Sequence, residues 1–287
     1  MSRAVRRLVR HRSVQVGAAL VLLWVLLALL ATTLTGYDGV VDPDVGLDQQ
    51  LIRPSILGGT PGGPRFLLGT DLLGHDMLGR VLLGARTSLV IGAMAVAIAL
   101  VIGVPLGLAA GYAGGWTDSI VMRGTDVLLA LPAILLAICV VAVLGQSLGN
   151  LMVAVGLVNA PTIARQLRAQ VLVVRELEFV QAARALGFSP VRIAFLHVLP
   201  NCAGPILVLA TLATATAILE TAGLSFVGLG PPSGTAEWGL MIAENRALVT
   251  KAPWTILAPG AAIVLLVLGF NLLGDGLRDV LDPRGKR

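Results

Sequence analysis

The chain has 287 residues, of which 56% are hydrophobic and 13% charged, and a formal net charge of +5. Soluble domains carry about a quarter charged residues, so a water-exposed globule cannot hide this much apolar surface, whereas a bilayer can. The apolar runs are long and continuous, which argues against a membrane barrel built of alternating segments of about ten residues and for an all-α polytopic membrane protein.

Residues 1–12 carry Arg3, Arg6, Arg7, Arg10, His11 and Arg12, and Ser13 to Thr35 then lacks any charge. A basic start followed by an apolar run could be a signal peptide, but the run is long and has no convincing cleavage site. It reads as a retained first helix. Residues 36–86 are polar and rich in Gly and Pro, as in Gly58-Gly-Thr-Pro-Gly-Gly-Pro64, and read as a loop with a short amphipathic helix near Met77–Leu83. Thr87 to Gly111 is a second uncharged run. Gly103, Gly107 and Gly111 lie on one of its faces, where small residues let helices approach closely. Pro105 is expected to kink or loosen it.

Tyr112 to Asp126 reads as a short polar connection. Val127 to Ala164 is uncharged throughout. At about 1.5 Å per residue it is too long for one crossing of a ~30 Å core, so two helices are predicted, about 127–144 and 149–168, joined at Gly145–Asn150. Pro200 to Leu219 is the fifth run and ends at Glu220. Residues 221–255 read as an outer loop whose Trp238 and Trp254 suit the membrane interface. Ala252 to Gly274 is the sixth run, and Asp275 to Arg287 a polar tail.

Six transmembrane helices place both termini on one side. With the N-terminus inside, fifteen Lys and Arg fall in inner segments and six in outer ones. That excess makes both termini cytoplasmic, with the lipid bilayer as a partner. The basic residues cluster at helix ends, so no nucleic acid is implied. Cys139 and Cys202 form no CxxC, and His11, His75 and His197 are scattered, so no disulfide and no metal site are read.

No GxxxxGK[ST] occurs, and the Gly-rich pieces lack a strand-then-helix setting, so the chain encodes no nucleotide site. Ser225 lacks the spacing of a nucleophile elbow. No Asp, Glu, Lys or Arg is read in the middle of a membrane helix, which argues against ion-coupled transport. The polar residues of the runs are Asn159, Thr162, Thr211, Thr214, Thr216 and Asn271. They suit hydrogen bonds between helices, with contact to a translocated substrate as the alternative.

The segment Glu178 to Asn201 is the longest polar interruption. It reads as two short amphipathic helices broken at Gly187-Phe-Ser-Pro190. Gly187 permits a turn that a Cβ would strain, and Ser189 with Pro190 suits the start of the second helix. Gln181, Ala182, Ala183 and Gly187 are small or polar enough to enter a partner's cleft, and Arg184 and Arg192 offer charge to an acidic partner or to headgroups. The alternative is an ordinary cytoplasmic loop lying on the membrane.

Gln181-Ala-Ala-Arg-Ala-Leu-Gly187, with Ile193, His197 and Pro200-Asn201, resembles the EAA loop of ABC importer permeases, closest to the C-type permease of dipeptide/oligopeptide transporters. Leu68-Gly-Thr-Asp-Leu-Leu-Gly74 with Asp76, Gly84-Ala-Arg-Thr-Ser-Leu89, Gly223-Leu-Ser-Phe-Val-Gly-Leu-Gly230 with Trp238-Gly239, and Asn271 to Pro283 resemble further segments of that family in the same order. The resemblance implies the type I ABC importer permease fold. It divides the chain into a tail, first helix and outer loop (1–86), a permease core (87–278) with a coupling loop at 176–199, and a cytoplasmic tail (279–287).

It further implies a location in the bacterial cell membrane, a homologous permease as partner, two ATPase domains that use ATP and Mg, and an extracytoplasmic substrate-binding protein. By the same resemblance Gln181, Ala182, Ala183, Arg184 and Gly187 couple to the ATPases. The cargo would be peptide, with nickel, glutathione or another small solute as alternatives, and hydrolysis would lie in partners and not in this chain. A membrane scaffold that moves nothing is the reading from a different class. Gln181 replaces the motif's glutamate, and His75 stands where the family often has arginine.

Overall fold

The computed structural model describes residues 11–35, 49–59 and 66–281. Residues 36–48 and 60–65 of the expected loop at 36–86, the basic start at 1–10 and the tail beyond 281 lie outside them. The helices are α1 (Arg12–Thr35), α2 (Met77–Ala113), α3 (Gly115–Leu129), α4 (Ala133–Leu144), α5 (Leu148–Val174), α6 (Glu178–Ala185), α7 (Pro190–Ile193), α8 (Ala203–Leu224), α9 (Trp238–Asn245) and α10 (Trp254–Leu281). A π-turn at Ala194–Val198 and a helical turn at Leu199–Asn201 link α7 to α8, and a π-turn at Ser225–Leu229 follows α8.

Several boundaries differ from the sequence expectation. The short helix near Met77 and the run from Thr87 are one helix of 37 residues. Asp76 starts it by accepting from Leu78 N and Gly79 N, and it continues through Pro105. At about 1.5 Å per residue α2 is about 55 Å long, more than a hydrocarbon core. The expected polar connection at 112–126 is mostly helix α3. It meets the short α4 at 92°, so the uncharged run does not begin with one straight crossing. The polar stretch after Gly274 stays helical to Leu281. Among the described residues four helices, α1, α2, α8 with its π-turn, and α10, are long and apolar enough to cross a membrane, and the bent α3–α4 pair makes up to five.

Close backbone contact builds the bundle. A Cβ on Gly103 would lie 2.7 Å from Ala160 O, on Gly107 2.5 Å from Ala164 O, and on Gly111 2.8 Å from Val171 Cβ. The glycine stripe therefore seats α2 directly on α5, with the two helices running in the same direction. Gly17 of α1 meets Leu273 N and Gly269 O of α10 in the same way, and Gly276 meets Val14, so α1 and α10 run antiparallel. His11 lies 3.7 Å from Asp279, and Gly204 of α8 abuts Leu281. The start of α1, the end of α10 and the start of α8 thus share one end of the bundle.

Candidate functional site

The α6–α7 segment sits at that same end. Val180, Ala183, Ile193, Ala194, Val198 and Cys202 form one buried cluster with Leu108 of α2 and Leu167, Val171 and Val174 of α5. Helix α6 carries Glu178 in its first turn and Arg184 in its last, each favourable to the helix dipole. It stops where Gly187 takes φ +78°. Gly187 N then donates to Arg184 O (3.0 Å) and Phe188 N to Ala183 O (3.2 Å), the paired bonds of a Schellman cap. Ser189 Oγ accepts from Arg192 N (3.4 Å) and Pro190 occupies the first turn of α7, as its residues predict.

Of the five coupling residues expected from sequence, Gln181, Ala182, Arg184 and Gly187 are exposed, whereas Ala183 is buried in the cluster. Gln181 Nε2 donates to Glu176 O (3.1 Å). Arg184 lies 5.7 Å from the Tyr112 ring centroid and Arg192 4.6 Å from that of Phe188. The most prominent side chains were not singled out from sequence. Leu186 is 74% and Val191 69% exposed, and they flank the Gly187 turn. Two apolar residues beside a glycine break were the available signal. Both are exposed apolar side chains on a segment whose buried residues pack against α2 and α5.

Arginines brace the same end. Arg168 Nε and Nη2 donate to the two Asp118 oxygens at 2.5 and 2.6 Å. Arg165 pairs with Asp126, and Arg175 Nη1 donates to Gly111 O (2.8 Å). These bonds tie α3 and the end of α2 to α5.

At the opposite end, the segment before α2 and the residues around α9 converge. Asp71 Oδ1 accepts from Leu73 N (2.9 Å) and His75 N (2.8 Å). Its Oδ2 accepts from Arg80 Nη1 (2.5 Å) and lies 3.0 Å from His75 Nδ1. Arg80 Nη2 also donates to Glu244 Oε2 (3.2 Å), whose Oε1 accepts from Gly234 N (3.1 Å). His75 thus joins the ion-pair network from the position where arginine was expected. Burial works to raise the Asp71 carboxyl, but the Arg80 charge and hydrogen bond outweigh it and hold Asp71 below the ordinary value. Glu237 caps α9 through Gly239 N and Leu240 N, and its burial pushes its carboxyl upward.

Trp238 does not lie at a lipid interface. It is fully buried, donates from Nε1 to Val81 O (2.9 Å) and meets Trp24 edge-on at 5.0 Å. A helix, α9, occupies part of what the sequence presents as loop. Trp254 Nε1 donates to Thr70 O (3.0 Å), tying α10 to the segment before α2.

Within the spans, Thr211, Thr214 and Thr216 donate to carbonyls four residues back in their own helix, and Thr162 and Asn271 are exposed. No hydrogen bond joins these candidate path residues to one another among the described residues. Asn159 alone reaches across: its Nδ2 donates to Val155 O (2.9 Å) and to Glu220 Oε2 of α8 (2.6 Å). Glu220 does not end the fifth run; it lies inside α8, so a carboxylate does stand within a spanning helix.

The chain is a helical bundle with an exposed turn at one end and a buried polar cluster at the other, and sequence comparison supplies its family. Residues 103–287 match the model described as "Binding-protein-dependent transport system inner membrane component". The dipeptide transport system permease protein DppC of Alkalihalophilus pseudofirmus is 44% identical over 283 residues, covering 99% of this chain and 90% of the relative. The di/tripeptide transport system permease protein DppC of Pseudomonas aeruginosa is also 44% identical, covering 94% and 88%. The glutathione transport system permease protein GsiD of Salmonella typhimurium is 44% identical, covering 98% and 89%. In fold, the inward-facing MetNI methionine ABC transporter matches with a TM-score of 0.59 at 21% identity, over 72% of this chain and 98% of that one. The chain belongs to the binding-protein-dependent transport system inner membrane component family and is an ABC transporter permease.

Proposed function

We propose that this permease carries peptides inward through the bacterial inner membrane, as one half of a path completed by a homologous permease. Two peptide permeases among its relatives support the cargo; the glutathione permease supports a small peptide-like solute as the second reading. In this reading α5 and the bent α3–α4 pair join the four long spans to make six crossings, with both ends and the α6–α7 turn in the cytoplasm. A binding protein delivers cargo to the end capped by Asp71 and Arg80. ATPase partners, using ATP and Mg, grip the opposite end through Gln181, Ala182, Arg184 and Gly187 together with Leu186 and Val191.

The observation that carries the proposal is the α6–α7 turn: apolar and exposed at its tip, buried at its base among α2 and α5. Exposed apolar knobs outside the bilayer mark protein contacts, and a packed base makes this one a lever rather than a loose loop. The test is the complex in lipid nanodiscs with its ATPases and binding protein. Gly187→Val forces a Cβ into φ +78° where the surroundings are otherwise open, so it distorts the tip without disturbing the bundle. Peptide-stimulated ATP hydrolysis should be lost while the variant still inserts. Cysteine at Ala185, in a chain freed of Cys139 and Cys202, should react only with reagent admitted from the cytoplasmic side. Intact coupling in Gly187→Val, or labelling from outside, refutes the proposal.

A further inference from the structure

Glu220 is the feature that the transport reading leaves unexplained. It lies inside the apolar span 203–229, near the far end of α8 and about 25 Å from the helix start counted at about 1.5 Å per residue. Carboxylates at such depth are costly and rare unless they serve a path or a ligand. Among the described residues no cation lies within ion-pair distance of it. Its single hydrogen bond there is the 2.6 Å contact with Asn159 Nδ2 on α5. Because Asn159 donates through Nδ2 to both Glu220 and Val155 O, its carbonyl oxygen remains an acceptor. The pair therefore presents acceptors and no unused charge-compensating donor.

Glu220 also lines a pocket of about 210 Å³ between α4 and α8, with Ala133, Ile134, Ala137, Leu219, Gly223 and Leu224. Every other wall is apolar or glycine. One carboxylate and one amide oxygen fall short of the six or more oxygens that hard divalent cations take. A primary ammonium fits better: it has three donors, needs no closed cage, and can be followed by a short apolar side chain lying on the Ala and Ile walls.

We propose that Glu220, held by Asn159, forms a site in the membrane path that receives the α-ammonium group of the translocated peptide. The pocket takes the first side chain, and Gly223 keeps it open, since a Cβ there would meet nothing closer than Ile134 Cδ1 at 3.8 Å. The proposal rests on the peptide reading above and adds to it the chemical group that the permease itself recognises.

The test uses the complete complex in proteoliposomes with the binding protein saturated, measuring uptake of radiolabelled alanylalanine and, separately, of glutathione. Glu220→Gln keeps a side chain that can still bond Asn159 but removes the charge. Uptake at saturation should fall roughly ten- to a hundredfold, the scale of one charge-assisted hydrogen bond. Glu220→Asp should restore it to within a few fold, and Gly223→Val, whose side chain enters the pocket beside Ile134, should fall like Glu220→Gln. The thermal midpoint of each purified complex reports folding separately. Glu220→Gln transporting as well as the unaltered complex overturns the inference, because a neutral hydrogen-bonding clamp would then suffice. So does a loss in Glu220→Gln that tracks a lowered midpoint, or one that Glu220→Asp shares in full. If the unaltered complex moves neither peptide, the cargo reading fails first, whatever the variants do.

Discussion

Replacing Arg80 with methionine tests whether the buried Asp71–Arg80–Glu244 network holds its end of the bundle together. Arg80 is 6% and Asp71 2% exposed. Methionine fills much the same volume but leaves the Asp71 carboxylate without its guanidinium. Removing one partner of a buried ion pair costs about 3–5 kcal/mol, because the remaining charge stays desolvated. Asp71 keeps the N–H donors of Leu73 and His75, and the Glu244 side chain is 26% exposed, so the lower end of that range, about 3 kcal/mol, is expected. Adding Asp71→Asn removes the stranded charge while keeping an oxygen for those N–H groups. The double variant should recover more than half of the loss, a coupling of about 1.5 kcal/mol or more. Denaturant unfolding in mixed micelles, followed by tryptophan fluorescence, reads this directly: Trp254 is bonded to Thr70, next to Asp71. A cost below about 1 kcal/mol for Arg80→Met, or simple additivity in the double variant, refutes the reasoning.

The Asp71 and Glu237 carboxylates should give opposite pH dependences. Asp71 is depressed, so its contribution is full above its ordinary value and is lost as pH falls through the lower folded value; Asp71→Asn should flatten this acid limb. Glu237 is raised, so stability declines as pH climbs from its ordinary value toward the raised one; Glu237→Gln should match the unaltered protein in acid and become relatively more stable as pH rises, measured by the same unfolding assay. At the α2–α5 seam, Gly107→Leu places a Cβ 2.5 Å from Ala164 O and 3.0 Å from Leu167 Cβ, which forces the helices apart by roughly 1 Å. Overpacking of this kind costs about 1–3 kcal/mol. Gly260→Leu, whose Cβ meets nothing within 4 Å, should cost far less, and equal effects in thermal unfolding would dismiss the seam argument.

Much of the architecture was legible because lipid imposes simple rules. Uncharged runs announced the spans, and the glycines at 103, 107 and 111 announced a close helix contact. The Gly187 turn and its Ser189 cap followed from local backbone chemistry. The illegible parts depend on partners remote in sequence. Trp238 looked interfacial because tryptophan favours that depth, yet Trp24 and Val81 bury it. Glu220 looked like the end of a run because a carboxylate stops an apolar count, yet Asn159, 61 positions away, accommodates it inside the helix. Leu186 and Val191 drew no notice because their significance is exposure, which sequence does not record.

The sequence by itself determined the class of protein, the existence of the Gly187 turn and the family resemblance, because hydropathy, glycine spacing and local capping are properties of neighbouring residues. Only the tertiary structure decided which face of that turn is presented, that Ala183 belongs to its base, that α3 and α4 meet at a sharp angle, and that Asp71, Arg80 and Glu244 form one network. Those outcomes arise from long-range packing, where a side chain's surroundings are set by helices that the chain reaches much later.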